Sequence, residues 1–203
     1  MGVVSMPETS DVLVRFETGV GNIDIVVNTH AAPNTARYFL DLVDAGHFND
    51  VTFHRAGASF SSGSERMQII EGGAMYRSLT GEDRRPLSQV GLPLLVDFET
   101  TTQSGLAHIR GTVSLARDLT ATGNAIPDVF ICLETTPAFD EGGRTEPDTR
   151  GFPAFAMVTG GMDVVDLISK RDRSGATRVS VLRGQILAEP VKILKTVRMG
   201  LCR

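Results

Sequence analysis

Thr52-Phe53-His54-Arg55 and, some way on, Ile69-Ile70-Glu71-Gly72-Gly73 are short runs of strand-forming residues, each too brief for a helix. Outward from them the same signal recurs. Strands are predicted over Val51–His54, Met67–Ile70, Gly111–Ala116, Val129–Leu133, Ala154–Val158, Gln185–Leu187 and Val191–Val197. Toward the amino terminus, Val12–Phe16 and Asn22–Val27 flank Glu17-Thr18-Gly19-Val20-Gly21, whose glycines suit positive φ, and the three pieces read as a hairpin. Two helices break the pattern. Ala36, Phe39, Leu40 and Val43 recur at helical spacing behind Pro33, predicting a helix over 33–45, and Met162–Lys170 follows Gly160-Gly161 with Val164, Val165, Leu167 and Ile168. Many strands, two helices and no strand–helix–strand alternation indicate an antiparallel sheet or barrel with helices over its ends.

The composition is that of an ordinary globular chain: 203 residues, 41% hydrophobic and 22% charged, enough to bury a core without a disulfide or metal staple. No linker divides it, so residues 1–203 read as one domain with 1–10 as a flexible N-terminal segment. Segments 57–66 and 141–150 read as inserted loops, and 76–102 as a long connection of mixed composition. Twenty basic against 24 acidic residues leave a net charge of −4 and no basic stripe, which argues against nucleic acid as a partner. No apolar run approaches the ~20 residues of a membrane helix. The first ten residues lack the basic start and apolar stretch of a secretory signal, so a cytoplasmic location is expected.

The usual chemical constellations are absent at the level of spacing. His30, His47, His54 and His108 form no close pair with one another or with Cys132 or Cys202, which predicts no metal site, and Cys132 reads as a small buried hydrophobe. There is no Gly-x-Ser-x-Gly elbow, and Gly72-Gly73, Gly142-Gly143 and Gly160-Gly161 do not form a phosphate loop.

What remains is an order of blocks. Thr52–Arg55, Ile69–Gly73, Arg110–Arg117 and Val129–Cys132 follow the Val14–Thr18 strand and precede Gly160–Asp166. This succession resembles the cyclophilin family of peptidyl-prolyl cis/trans isomerases over nearly the whole chain. The resemblance implies a closed eight-stranded antiparallel barrel capped by two α-helices, and a monomer that needs no cofactor and takes proline-containing peptides or unfolded segments. It implies rotation about X-Pro bonds with Arg55 as the catalytic group and Glu71 orienting it. It places Gln68, Ile69, Ala116, Arg117, Asp128, Phe130, Phe139 and Phe152 along the substrate groove.

The groove is divergent. Glu71 and Asp128 stand where the family usually has glutamines, Gln68 replaces a phenylalanine, Ala138 a common aromatic and Phe152 a frequent histidine. A carboxylate at Glu71 would pair with Arg55 and draw on its charge. Two readings therefore stand side by side: an isomerase, and a catalytically weak or inactive peptide-binding module on the same barrel.

Overall fold

A computed structural model describes residues 11–57, 68–83, 85, 91, 93–119, 122–145 and 147–201. The expected N-terminal segment 1–10, and the 57–66 loop beyond Gly57, lie outside the described residues. Eight antiparallel strands close into a barrel: β1 (Val12–Thr18), β2 (Gly21–Val27), β3 (Thr52–Gly57), β4 (Ile69–Gly73), β5 (Thr112–Arg117), β6 (Ala125–Cys132), β7 (Ala154–Gly160) and β8 (Ile186–Leu201). Around the wall they run β1-β2-β7-β5-β6-β4-β3-β8. Closure leaves no unpaired sheet edge.

The opening hairpin pairs Thr18 with Gly21. Thr18 Oγ1 donates to the Gly21 carbonyl at 2.6 Å, and Gly21 takes a φ of +138°. Gly19 is not among the positive-φ glycines, so only one of the two expected positions uses its conformational freedom.

Helix α1 (Pro33–Asp44) begins on its proline and buries Ala36, Phe39, Leu40 and Val43, as the spacing predicts. Its first turn is capped from far along the chain. Glu99 accepts the Asn34 and Thr35 N–H groups at 2.8 and 3.0 Å and the Thr35 hydroxyl at 2.7 Å. A carboxylate there satisfies orphan donors and complements the helix dipole. Two short helices, α2 (Tyr76–Thr80) and α3 (Thr101–Ser104), occupy the connection where the sequence reading expected none, and α4 (Met162–Ser169) lays Val165 and Ile168 on the core. No described helix is long and apolar enough to cross a membrane.

The barrel is filled by aromatic rings. Phe16 lies 6.0–6.2 Å from Phe39, Phe48 and Phe53, and Phe39 sits 4.7 Å from Phe155, so α1 is stapled to the strands through rings from four elements and the Phe48 turn. The two runs predicted at the carboxyl end are one strand, β8, passing through Pro190. Its pairing with β3 steps from Val191 opposite Phe53 to Ile186 opposite Arg55, and the proline falls inside that irregular step, where its missing N–H breaks no ladder bond with β3. Pro127 is tolerated in β6 the same way, between Leu115↔Val129 and Arg117↔Ala125.

Candidate active site

The groove lies on the outside of the barrel, along the residues of β4, β5 and β6 that alternate away from the core. Ile70, Val113, Leu115, Val129 and Ile131 point inward, while Ile69, Glu71, Ala116 and Phe130 point to the groove. Arg55 reaches this face only because β3 breaks its alternation. Phe53, two residues earlier, is wholly buried in the core, and an unbroken strand would send Arg55 to the same side. Instead Phe53 pairs with Gly72 and Arg55 with Glu71, with His54 as the extra residue, and Ala56 returns to the core. This bulge aims the guanidinium outward.

The neighbouring glycines have a steric cause. A Cβ on Gly72 would lie 2.6 Å from the Phe53 ring and 2.8 Å from the Thr52 carbonyl, and one on Gly73 would lie 2.3 Å from Asp128 Oδ1. Only bare backbone fits between β3 and β6 at that level.

Arg55 is held from two sides. Nη1 donates to Glu71 Oε2, and Nε and Nη2 donate to Gln185 Oε1 at 3.1 and 2.8 Å. Gln185 is itself fixed by a 3.1 Å bond from Nε2 to the Val181 carbonyl. Gln185 is a positioning residue that sequence reasoning missed. It opens a predicted strand, and nothing local marks its side chain for the arginine 130 positions away. Arg55 and Glu71 are each only 8% exposed, and what remains open faces the groove.

That groove is a cavity of about 830 Å³. Eight of the ten expected site residues line it: Arg55, Glu71, Ile69, Ala116, Arg117, Phe130, Phe139 and Phe152. The three phenylalanines pack edge to face with centroids 5.3–5.4 Å apart, making an apolar notch beside the arginine. Two expectations are corrected. Gln68 does not line the cavity and donates through Nε2 to Glu134 Oε1 at 3.2 Å. Asp128 is fully buried behind the wall and accepts the Met75 N–H at 3.1 Å, because the room left by Gly73 lets its carboxyl turn in beside β4.

Arg117 is part of the wall rather than a substrate donor: it bonds the carbonyls of Gly123 and Gly151 and pairs with Asp148. Loop 141–150 is folded back onto the site. Gly142 N–H closes it on the Thr149 carbonyl at 2.8 Å, and the Arg144 guanidinium lies 4.8 Å over the Phe152 ring. The far wall comes from Leu79 and from Val179, Val181 and Leu182, a segment the sequence reading did not single out because its apolar residues show no regular period.

Two polar clusters sit behind this surface. His108 donates from Nδ1 to Asp140 at 2.7 Å and faces Ser114 Oγ at 3.2 Å through Nε2. That is an acid–base–hydroxyl row, but Ser114 is sealed inside the wall with no exposure, so no acyl group can reach it, and the His108 ring instead stacks on Phe130. The second cluster joins His54, Glu71 and Asp128. Burial drives the Asp128 carboxyl well above its ordinary range, helped by the nearby Glu71 charge, and burial pushes His54 down.

Known proteins resemble the chain in sequence and in fold. The chain is 26% identical to peptidyl-prolyl cis-trans isomerase A of Dickeya dadantii over 80% of this chain and 73% of that one. It is 29% identical to isomerase B of Escherichia coli over 77% and 83%. Among solved structures, a cyclophilin-type isomerase of Cryptosporidium parvum superposes with a TM-score of 0.64 at 16% identity, covering 95% of this chain and 99% of that one, and so shares the fold. Residues 13–197 match the family described as cyclophilin type peptidyl-prolyl cis-trans isomerase/CLD, and the chain belongs to that family.

Proposed function

We propose that this protein accelerates cis/trans rotation about X-Pro bonds of peptide segments lying in the groove, with Arg55 as the catalytic residue. The observation that carries the reading is the position of the guanidinium: it borders an 830 Å³ cavity whose neighbouring wall is the Phe130–Phe139–Phe152 notch. A proline ring is apolar and fits such a notch. The same Cryptosporidium parvum protein has been solved in the presence of the dipeptide Ala-Pro.

Rotation must overcome a barrier of ~18–20 kcal/mol set by C–N double-bond character. At the twisted transition state the prolyl nitrogen regains a lone pair. Donors aimed at that lone pair and at the carbonyl oxygen bind the twisted form better than either planar one, which is what lowers a barrier without moving the equilibrium. No bond is made or broken. The test is two-dimensional exchange NMR on a short proline peptide with catalytic amounts of the protein: cross-peaks between cis and trans signals are expected to grow with enzyme, and their absence overturns the reading.

The alternative of a weak catalyst that mainly binds peptides is favoured by one observation, the buried ion pair of Arg55 with Glu71. A carboxylate keeps the arginine oriented but competes with the substrate for its donors. Glu71→Gln retains a hydrogen-bond acceptor without the charge, and kcat/KM is expected to rise several-fold, read by the same exchange experiment. An unchanged or lower value would show that the acid is no brake.

A further inference from the structure

We propose that His54, Asp128 and Glu71 form a binding site for a divalent first-row transition-metal ion, zinc being the best fit, directly behind the catalytic arginine. Nothing in the isomerase reaction calls for it, and the three residues lie too far apart in sequence to suggest it. Strand pairing brings them together: Arg55 faces Glu71, Gly73 faces Asp128, and the bulge turns His54 to the same side. One donor atom from each of the three lies within 4.8 Å of the others, and all three residues are buried.

Two of those donors are orphans. His54 Nε2 and Asp128 Oδ2 are both fully buried and have no hydrogen-bond partner among the described residues, yet they face each other across 3.6 Å. That gap is too wide for a hydrogen bond. It is close to the spacing set by a shared ion: zinc binds imidazole nitrogen at ~2.0–2.1 Å and carboxylate oxygen at ~2.0–2.2 Å, which puts two ligands of one tetrahedral centre ~3.4 Å apart. Unpaired polar atoms sealed from water are costly, and two of them aimed at one point call for something between them.

The supporting contacts are those of a metal ligand set. His54 donates Nδ1–H to the Thr52 carbonyl at 3.1 Å, which fixes the tautomer and leaves the Nε2 lone pair facing the gap. The other oxygen of Asp128 is held by the Met75 N–H at 3.1 Å. One imidazole and two carboxylates suit zinc and its neighbours better than the oxygen-preferring magnesium. Glu71 borders the groove, the side from which an ion would enter, and three protein ligands would leave a tetrahedral zinc one position for water.

The test is titration of the full chain, stripped with chelator, with Zn²⁺ by calorimetry and with Co²⁺ by visible absorption. One equivalent is expected to bind, with the intense bands of a tetrahedral Co²⁺ site. Asp128→Asn and His54→Gln, each checked for folding by circular dichroism, are expected to weaken binding by more than about tenfold, the loss seen even when only a ligand's support is disturbed. A variant lacking the exposed His30 and His47 side chains and Cys202 is expected to bind as the parent does. No binding by the parent chain, or bands that survive both site variants, would overturn the proposal. None of these readouts uses isomerase activity, so failure here leaves the proposed reaction standing, and the reverse holds too.

Discussion

Arg55→Ala is expected to fold and to lose roughly 10²–10³-fold in kcat/KM for a proline peptide, the scale on which removal of a preorganised transition-state donor is felt. The loss should fall mainly on kcat, because the apolar notch that receives the proline ring is built by Phe130, Phe139 and Phe152 and stays in place. Arg55→Lys is expected to recover little. An ammonium has the charge but not the planar fork that lets one side chain bond Glu71 on one edge and Gln185 on another. Exchange NMR gives the rate, and a thermal melt separates it from stability. A parent-like rate in Arg55→Ala would move the chemistry elsewhere.

Phe16→Ala is expected to cost ~3–5 kcal/mol of folding stability, the usual range for deleting a buried aromatic ring. Phe16 has no exposure and touches Phe39 of α1, Phe48 and Phe53, so its loss opens a void where α1, β1 and β3 meet. The void cannot close completely, because Phe53 is anchored on the barrel wall in β3. A chain of this size should lose on the order of 10 °C in melting temperature. Urea denaturation of parent and variant, with Phe16→Leu as an intermediate, measures it. A cost below about 1 kcal/mol would mean that the barrel end repacks freely, unlike a core of native density.

The two experiments separate what builds the barrel from what the groove does. Their outcomes are expected to be independent, since Phe16 lies in the core and Arg55 on the groove side of the wall. Glu71→Gln links them to the question of rate, because it alters the charge facing Arg55 without touching the core.

Much of the barrel was legible in the residues. The short strand-forming runs Gly111–Ala116 and Val129–Leu133, the stripe Ala36, Phe39, Leu40, Val43 and the proline at its start are local signals, and local signals place strands and a helix. The block order added closure, the arginine and its apolar neighbours. Connections without a period were not legible: α2 and α3 are too short to announce themselves, and the Val179–Leu182 wall is ordered only by what it packs against.

The amino-acid order alone settled which residues alternate, where the chain turns and which side chains could carry charge to a groove, because these depend on neighbours within a few positions. Folding in three dimensions settled which way they face. Strict alternation would bury Arg55 beside Phe53, and only the β3 bulge against β4 releases it. Gln185, 130 positions away, was recruited to hold it, and Asp128 was drawn behind the wall to meet His54, because strand register couples residues by pairing across the sheet and leaves no trace in sequence spacing.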